Sequence, residues 1–222
     1  MAVTIPQSPL FAGIQPQELS SLLQCLGAKQ QNYPKGTALL QEGQTTQQIG
    51  VVVSGLAVME YQDIQGGNTV LGSAGPGMVF GEAYACIPQE PLLITVRAAE
   101  DTEVLWLQIG RMLTTCPTTC PFHTRLIRNL LTVTAEKNLA LSRRSLHTSS
   151  KTIRGRLLSY FSQCVKQAGQ NRFTLAYNRQ QLADYLGVDR SALSNELSKM
   201  QRDGLLRYHK NQVEMLCTNA LE

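Results

Sequence analysis

Hydrophobic and polar positions divide the chain into two kinds of segment. Before residue 111, short runs rich in β-branched residues alternate with turn signals such as KG, GG and GPG. These runs are TALLQEG, IGVVVSGLAVMEY, TVLGSAGPG, LLITVRA and TEVLWLQI. Several short strands at regular spacing predict an antiparallel sandwich or barrel. Thirteen of the 17 glycines lie in this part, which agrees with a turn-rich β-domain.

Helical periodicity appears on both sides of this β-rich part. A short amphipathic helix is predicted before it, with Leu19, Leu22, Leu23 and Leu26 on one face. After it, Pro121 suits a first helical turn, and the next residues to about 144 contain no Gly or Pro. The apolar positions of this long helix are Leu126, Ile127, Leu130, Leu131, Val133, Leu139 and Leu141. One face is predicted to pack on the β-domain and the other to meet a second copy of the chain; burial within its own domain is the alternative.

The segment SRRSLHTSSKT, residues 142–152, is polar and predicts a hinge. Thr152 or a nearby serine is expected to cap the next helix, and Gly169 to end it.

The segment NRQQLADYLGVDRSALSNELSKMQRDGLL predicts two short helices across a turn, a helix-turn-helix. Asn178 and Asp189 are good N-caps, and Gly187 permits the sharp turn. The predicted buried positions are Leu182, Ala183, Leu186, Leu193, Leu197 and Met200. The following GLLRYHKNQVEML predicts two short strands around Lys210, which would form a wing with a basic tip.

A second, polar stripe follows the opposite face of the second helix. It consists of Arg190, Ser191, Ser194, Asn195 and Lys199. Arginine and asparagine make bidentate contacts to guanine and adenine in the major groove. Residues 151–222 hold eleven Lys/Arg and six Asp/Glu, whereas residues 1–150 hold nine and ten. The charge therefore favours a polyanion-binding C-terminal module, with a solvated helical hairpin as the alternative.

Five segments together resemble the CRP/FNR family of transcription regulators. YPKGTALLQEG and VVVSGLAVM resemble the entry into the family's cyclic-nucleotide-binding β-roll, and GPGMVFGEAYA resembles its phosphate-binding cassette. VRAAEDTEVLWL resembles the strands behind that cassette, and the helix-turn-helix segment resembles the family's winged form. The resemblance covers nearly the whole chain. It implies an α+β fold: an N-terminal antiparallel double-stranded β-roll (cupin-like), a long dimerisation helix, and a C-terminal winged helix-turn-helix.

The resemblance also implies partners and residue roles. A homodimer would bind double-stranded promoter DNA, with a small-molecule effector in the β-roll and RNA polymerase as a further partner. Arg179 and Gln180 match phosphate contacts, and Arg190, Ser191, Ser194 and Asn195 match base-reading positions. The predicted DNA-binding set is Arg179, Gln180, Asp189, Arg190, Ser191, Ser194, Asn195, Lys199 and Lys210. The two best-known members carry Glu at the place of Ser191 and Arg at that of Asn195, so a different operator is expected.

The resemblance places the effector beside Glu82, which in cyclic-nucleotide-binding members accepts from the ribose hydroxyl. An Arg-Ser pair should follow about ten residues later to hold the cyclic phosphate, but Leu92 and Leu93 stand there. Arg97 matches a strand residue instead. Because a buried phosphate without a cation is costly, cAMP is disfavoured, and an apolar or aromatic carboxylate, or no ligand, is expected. The predicted effector residues are Gly81, Glu82, Ala83, Leu92, Leu93, Leu130 and Thr134.

No metal site or cofactor is assigned, but TTCPTTCPFH places three possible ligands close together. Cys116, Cys120 and His123 could bind zinc or haem iron or act as a redox sensor, with Cys86 as a further ligand. Buried structural cysteines are the more common outcome. The pattern differs from the FNR iron–sulfur motif, in which cysteines cluster near the N-terminus.

Other classes of protein are disfavoured. No nucleophile–base motif is visible and the three histidines lie in different segments, so no enzyme is expected. The chain has no long apolar run and no secretory signal, which favours a cytoplasmic protein without membrane contact. The expected organisation is an effector domain at 1–120, a dimerisation helix and hinge at 121–148, and a DNA-binding domain at 149–222.

Overall fold

A computed structural model describes residues 4–114 and 121–216. The chain divides into two compact units, residues 1–136 and 137–222, and the boundary lies within one long helix. The three-part organisation expected from the sequence stays a prediction.

The first unit is built from two four-stranded antiparallel sheets, as the pattern of short strands predicts. One sheet has the strand order β1-β8-β3-β6 and the other β2-β7-β4-β5. The strands are β1 (Lys29–Tyr33), β2 (Ala38–Leu40), β3 (Gln48–Ser54), β4 (Ala57–Gln62), β5 (Asn68–Ala74), β6 (Val79–Phe80), β7 (Thr95–Ala98) and β8 (Thr102–Gln108). The helices are a 3-10 turn (Pro9–Phe11), α1 (Pro16–Cys25), α2 (Glu82–Ala85), α3 (Ile109–Leu113) and the start of α4 (Pro121–Thr148).

The apolar faces of these strands form the core of the β-roll. Phe80 and Trp106 pack edge to face at 5.4 Å between ring centroids, in a cluster with residues of both sheets. Gly50 makes this packing possible, because a Cβ there would lie 2.3 Å from Cζ of Phe80. A second cluster joins α1 and α3 to the outside of the first sheet. Leu19, Leu22, Leu23 and Leu26 are all buried in it, which confirms the predicted face of α1.

Helix α4 begins at the predicted proline but continues further than expected. Leu126, Leu130 and Val133 are buried against the β-domain. Exposed leucines follow along the helix, namely Leu131, Leu139, Leu141 and Leu146. The prediction of a hinge over 142–152 was wrong for residues 142–148, which are helical; the link is residues 149–152.

The second unit contains three further helices and a three-stranded antiparallel sheet. They are α5 (Ile153–Ala168), β9 (Arg172–Thr174), α6 (Arg179–Leu186), α7 (Arg190–Arg202), β10 (Leu206–His209) and β11 (Gln212–Met215). Thr152 caps α5 and Gly169 ends it in a left-handed conformation, as expected. Strand β9 pairs with β11 and was missed, because RFT is too short to show a period.

Among the described residues, no helix combines the length and apolarity that a membrane span requires. Helix α4 is long enough, but charged and polar residues occupy much of its surface.

Candidate functional site

The helix-turn-helix is held in place by side-chain caps at both helix starts. Asn178 accepts from the backbone N–H of Gln181, and the Gln181 side chain accepts from that of Asn178. Gly187 ends α6 with a φ of 62°, a conformation that favours glycine. Asp189 then accepts from the backbone N–H groups of Ser191 and Ala192 at the start of α7. The predicted capping residues and the turn glycine are confirmed.

Helix α7 separates its apolar residues from its polar ones. Leu193, Leu197 and Met200 are fully buried, as are the three predicted apolar residues of α6. The opposite face is exposed at Arg190, Ser191, Asn195 and Lys199, while Ser194 is half-buried.

Two serines on this face are already hydrogen-bonded within α7. The Ser191 hydroxyl donates to the Asp189 carboxylate at 2.5 Å, and the Ser194 hydroxyl donates to the carbonyl of Arg190 at 3.0 Å. The Ser191 hydroxyl, followed by the Ala192 amide, lowers the pKa of Asp189. Asp189 therefore organises the first turn of α7, and the side chains that remain most available to a ligand are those of Arg190, Asn195 and Lys199.

Arg179 joins the start of α6 to the wing. Its guanidinium donates to the carbonyl of Lys210 at 3.2 Å and lies 4.8 Å from the ring centroid of Tyr208. Lys210, at the tip between β10 and β11, is exposed and has a φ of 54°. Gln180 donates to Asp184 along α6 and is exposed. Tyr208 was missed by sequence reasoning, since its role depends on a contact 29 residues away along the chain.

Three further arginines support the helix-turn-helix from behind. Arg144 donates to the carbonyls of Asp184 and Tyr185, and Arg156 to those of Leu186 and Gly187. Both guanidinium groups thus satisfy the C-terminal carbonyls of α6. Arg154 on α5 pairs with Glu196 at 2.6 Å and Asp203 at 2.7 Å, which ties α5 to α7.

Three of the predicted effector residues belong to the short helix α2 and its N-cap. Gly81 precedes it with a φ of 77°, and its backbone approaches Leu40 so closely that a Cβ would lie 3.0 Å from Cδ1. Glu82 is 6% exposed, whereas Ala83 is exposed. Burial first, and then the charge of Glu82, raise the pKa of the Cys86 thiol at the end of α2.

The two leucines that replace the Arg-Ser pair differ in exposure. Leu92 is 2% exposed, and its backbone exchanges hydrogen bonds with Gln44 and Gly43. Leu93 is 61% exposed, and its N–H donates to the Tyr84 hydroxyl at 3.4 Å. The fold thus uses Leu92 in the core and leaves Leu93 on the surface.

The two effector residues predicted on α4 lie one turn apart. Leu130 belongs to the hydrophobic core. The Thr134 hydroxyl, half-buried, donates to the carbonyl of Leu130 at 2.9 Å.

Two family models match the chain, one in each unit. A cyclic nucleotide-binding domain matches residues 30–116, and a Crp-like helix-turn-helix domain matches residues 155–222. The chain belongs to the CRP/FNR family of DNA-binding transcription regulators. The fold of a β-roll followed by a winged helix-turn-helix is confirmed.

Relatives extend over nearly the full length of the chain. The "Cyclic AMP receptor protein" of Thermus thermophilus is 26% identical over 97% of this chain and 95% of its own. The crystal structure of the catabolite activator protein of Thermus thermophilus covers 96% of both chains, at 25% identity and a TM-score of 0.50. CprK complexed with OCPA covers 92% of this chain and 94% of its own, with 18% identity and a TM-score of 0.62, and so supports the fold. The first two are named as a receptor protein and an activator protein, and none of the three carries the name of an enzyme.

Of the cysteine and histidine residues proposed as metal ligands or redox sensors, the structure describes Cys86 and His123. Cys116 and Cys120 lie outside the described residues. His123 is buried, and its Nε2 lies 4.0 Å from Sγ of Cys25, a neighbour that sequence reasoning missed because 98 residues separate the two. Within residues 4–114 and 121–216, no three His, Cys, Asp or Glu side chains are grouped as metal ligands would be.

Proposed function

We propose that the protein is a homodimeric, sequence-specific DNA-binding transcription regulator controlled by an effector other than cAMP in the β-roll. The observation that carries the proposal is the exposed polar face of α7, with Arg190, Asn195 and Lys199 opposite a fully buried apolar stripe. Exposed donors on the first turns of such a helix suit the major groove. His123 and His147 lie at opposite ends of α4 and His209 lies on β10, and we propose no catalytic activity.

The DNA-binding proposal is tested by affinity for a selected operator, measured by fluorescence anisotropy across salt concentrations. Asn195→Ala should weaken binding to the operator by about tenfold to a hundredfold and leave non-specific DNA binding unchanged, because one base contact is lost. Lys199→Ala should weaken both and reduce the salt slope by about one, because one phosphate contact is lost. Arg202→Ala, at the other end of α7, is the control.

A different outcome would favour the rival hypothesis of a cyclic-nucleotide-type binding module that acts through protein contacts and has a vestigial helix-turn-helix. If wild-type protein bound no DNA selected from a random pool, or if both substitutions left the operator affinity and the salt slope unchanged, the DNA-reading role of α7 would be refuted.

The homodimer is supported by the exposed leucines of α4. Leu139 and Leu146 are seven residues apart, so they lie on one side of the helix, and both are more than half exposed. Leu139→Arg should convert the dimer to a monomer in light scattering after gel filtration. Ile64→Arg, at a fully exposed apolar residue in the β4–β5 turn, should leave the dimer intact. A monomeric wild-type protein would contradict the proposal.

An effector other than cAMP is supported by the position of the available cations. Residues 83–96, from Ala83 on α2 to the start of β7, contain no Lys or Arg. Arg97 on β7 donates to the carbonyl of Gly36 at 2.7 Å and pairs with Glu60 at 3.4 Å. Native mass spectrometry of freshly purified protein, with and without added cAMP, should show no cAMP adduct. A stoichiometric adduct lost in Glu82→Gln would overturn the proposal.

A metal- or redox-responsive regulator is the second candidate, because buried His123 lies beside Cys25 and its Nδ1 has no partner among the described residues. A thiol, an imidazole and the nearby Cys116 and Cys120 of the sequence could together bind zinc. The same mass spectrum tests the zinc form of this candidate: a zinc adduct lost in Cys120→Ser would favour it, and the absence of an adduct after zinc addition would exclude it.

A further inference from the structure

The second unit contains a cleft of about 800 Å³ that neither the DNA-reading face nor the β-roll explains. It lies behind the helix-turn-helix, between the end of α4, α5, the segment from β9 to α6, and β11. This volume is within the range of small-molecule sites, roughly 300 to 1,000 Å³.

Aromatic side chains form one wall of the cleft. Tyr177 and Tyr185 stack with 5.1 Å between ring centroids and an interplanar angle of 30°. Tyr160 continues the stack at 6.2 Å from Tyr177. These rings offer flat surfaces to a planar ligand, which could stack against them or approach edge-on.

His147 adds an imidazole ring to the lining of the cleft. The side chain is 1% exposed, and its Nδ1 lies 2.8 Å from the Tyr185 hydroxyl. Its Nε2 is buried and makes no hydrogen bond of ordinary geometry to a described residue, although the Gln163 side-chain amide lies close enough to the ring to raise its pKa. When the Tyr185 hydroxyl donates to Nδ1, Nε2 carries the ring proton and is a hydrogen-bond donor.

The charged residues of the lining favour a negatively charged ligand. Arg143 and Arg172 line the cleft, and no Asp or Glu is among its described lining residues. Gln163 adds a neutral amide beside His147. Two guanidinium groups without a carboxylate favour an anion, and a guanidinium matches a carboxylate in a bidentate manner.

We propose that this cleft binds a planar aromatic carboxylate, with the ring against the tyrosine wall and the carboxylate near Arg143 and Nε2 of His147. Such a ligand would contact α4, α5 and α6 at once, so it would stabilise the packing of the helix-turn-helix on the end of α4. The site lies wholly within residues 137–222 and is separate from the proposed effector site at Glu82.

Isothermal titration calorimetry of the full-length protein with 4-hydroxybenzoate tests the proposal. We expect binding with a Kd below about 1 mM, and weaker binding of two probes that each lack one feature. Cyclohexanecarboxylate keeps the charge without the planar ring, and 4-hydroxybenzamide keeps the ring without the charge.

Substitutions at exposed positions locate the binding without disturbing the core. Arg143→Gln should weaken 4-hydroxybenzoate binding by about tenfold or more, the effect of losing one charge-assisted hydrogen bond. Gln167→Glu should weaken it by adding a negative charge to the lining. Arg202→Gln is the control and should bind as the wild type does. Glu82→Gln tests whether the ligand binds at the β-roll instead.

Three results would overturn the proposal. They are no binding of 4-hydroxybenzoate by the wild type up to about 10 mM, unchanged binding in both Arg143→Gln and Gln167→Glu, and loss of binding in Glu82→Gln. The last result would assign the ligand to the β-roll instead and would leave the DNA-binding proposal intact.

Discussion

Helix α7 and the cassette around α2 carry the two predicted binding functions in different ways. On α7, the apolar residues point inward and the polar residues outward, so stability and recognition depend on different side chains. Around α2, the acidic residue expected to contact an effector is itself buried, and Leu92 belongs to the core. We therefore expect that the exposed residues of α7 can be substituted without loss of the fold. A substitution of Glu82 or Leu92 should change both the stability of the β-roll and its predicted effector binding.

The largest expected effect comes from the inner face of α7. Leu197→Ala should lower the free energy of unfolding of the second unit by about 2 to 5 kcal/mol, because a fully buried side chain is replaced by a cavity. Lys199→Ala, two residues away on the exposed face, should change it by less than about 0.5 kcal/mol. Urea denaturation followed by circular dichroism measures both. Equal losses would show that α7 does not separate the two roles.

An intermediate effect is expected from pH at His147, a buried polar residue on the inner side of the second unit. Burial lowers the pKa of His147 from its ordinary 6.5, and Arg143 lowers it further, while Gln163 partly offsets this. As pH falls below about 6.5, His147 becomes protonated more readily in the unfolded chain than in the folded one. The free energy of unfolding should therefore decrease in this range.

Thermal unfolding of wild type and His147→Phe at pH 7.5 and pH 5.5 tests this expectation. Tyr160 and Tyr185, which pack on the ring, do not ionise in this interval, since burial raises the pKa of both. The wild type should lose more stability between the two pH values than His147→Phe does. A larger loss in the variant would contradict the assigned pKa direction.

The smallest effect concerns the cassette. Because burial and the charge of Glu82 raise the pKa of the Cys86 thiol, Glu82→Gln should lower that pKa. The rate of Cys86 alkylation by iodoacetamide should then reach half its maximum at a lower pH than in the wild type. Glu90→Gln, in the loop after α2, is the matched control. An unchanged profile in Glu82→Gln would place the carboxylate too far from Cys86 to influence it.

Much of the fold was predictable because its signals are local. The caps Asn178 and Asp189, the turn at Gly187 and the buried leucines of α6 and α7 follow from spacing within one or two turns of helix. The helical state of residues 142–148 was not predictable, because it depends on Arg144 and His147 meeting residues about 40 positions later.

The candidate sites were likewise predictable where they depend on local sequence and not where they depend on contacts between distant residues. The exposed face of α7 could be predicted from periodicity, whereas the contact of Arg179 with Tyr208 and the approach of Cys25 to His123 join distant parts of the chain. The polar strand β1 was also missed, since KQQNY lacks apolar alternation and is a strand only because it pairs with β8. The charge count over residues 151–222 overestimated the cations available to DNA, because Arg154 and Arg156 support the helices instead.

The paired arginines behind α6 also determine where the DNA-binding half could be separated for transfer to another protein. The link at residues 149–152 is the obvious place to cut, but a fragment that begins there loses Arg144 and keeps only Arg156 on the carbonyls of α6. It also loses His147, and the rings of Tyr160 and Tyr185 would be exposed to water. A portable DNA-binding fragment should therefore begin at Lys137 and include the last three turns of α4.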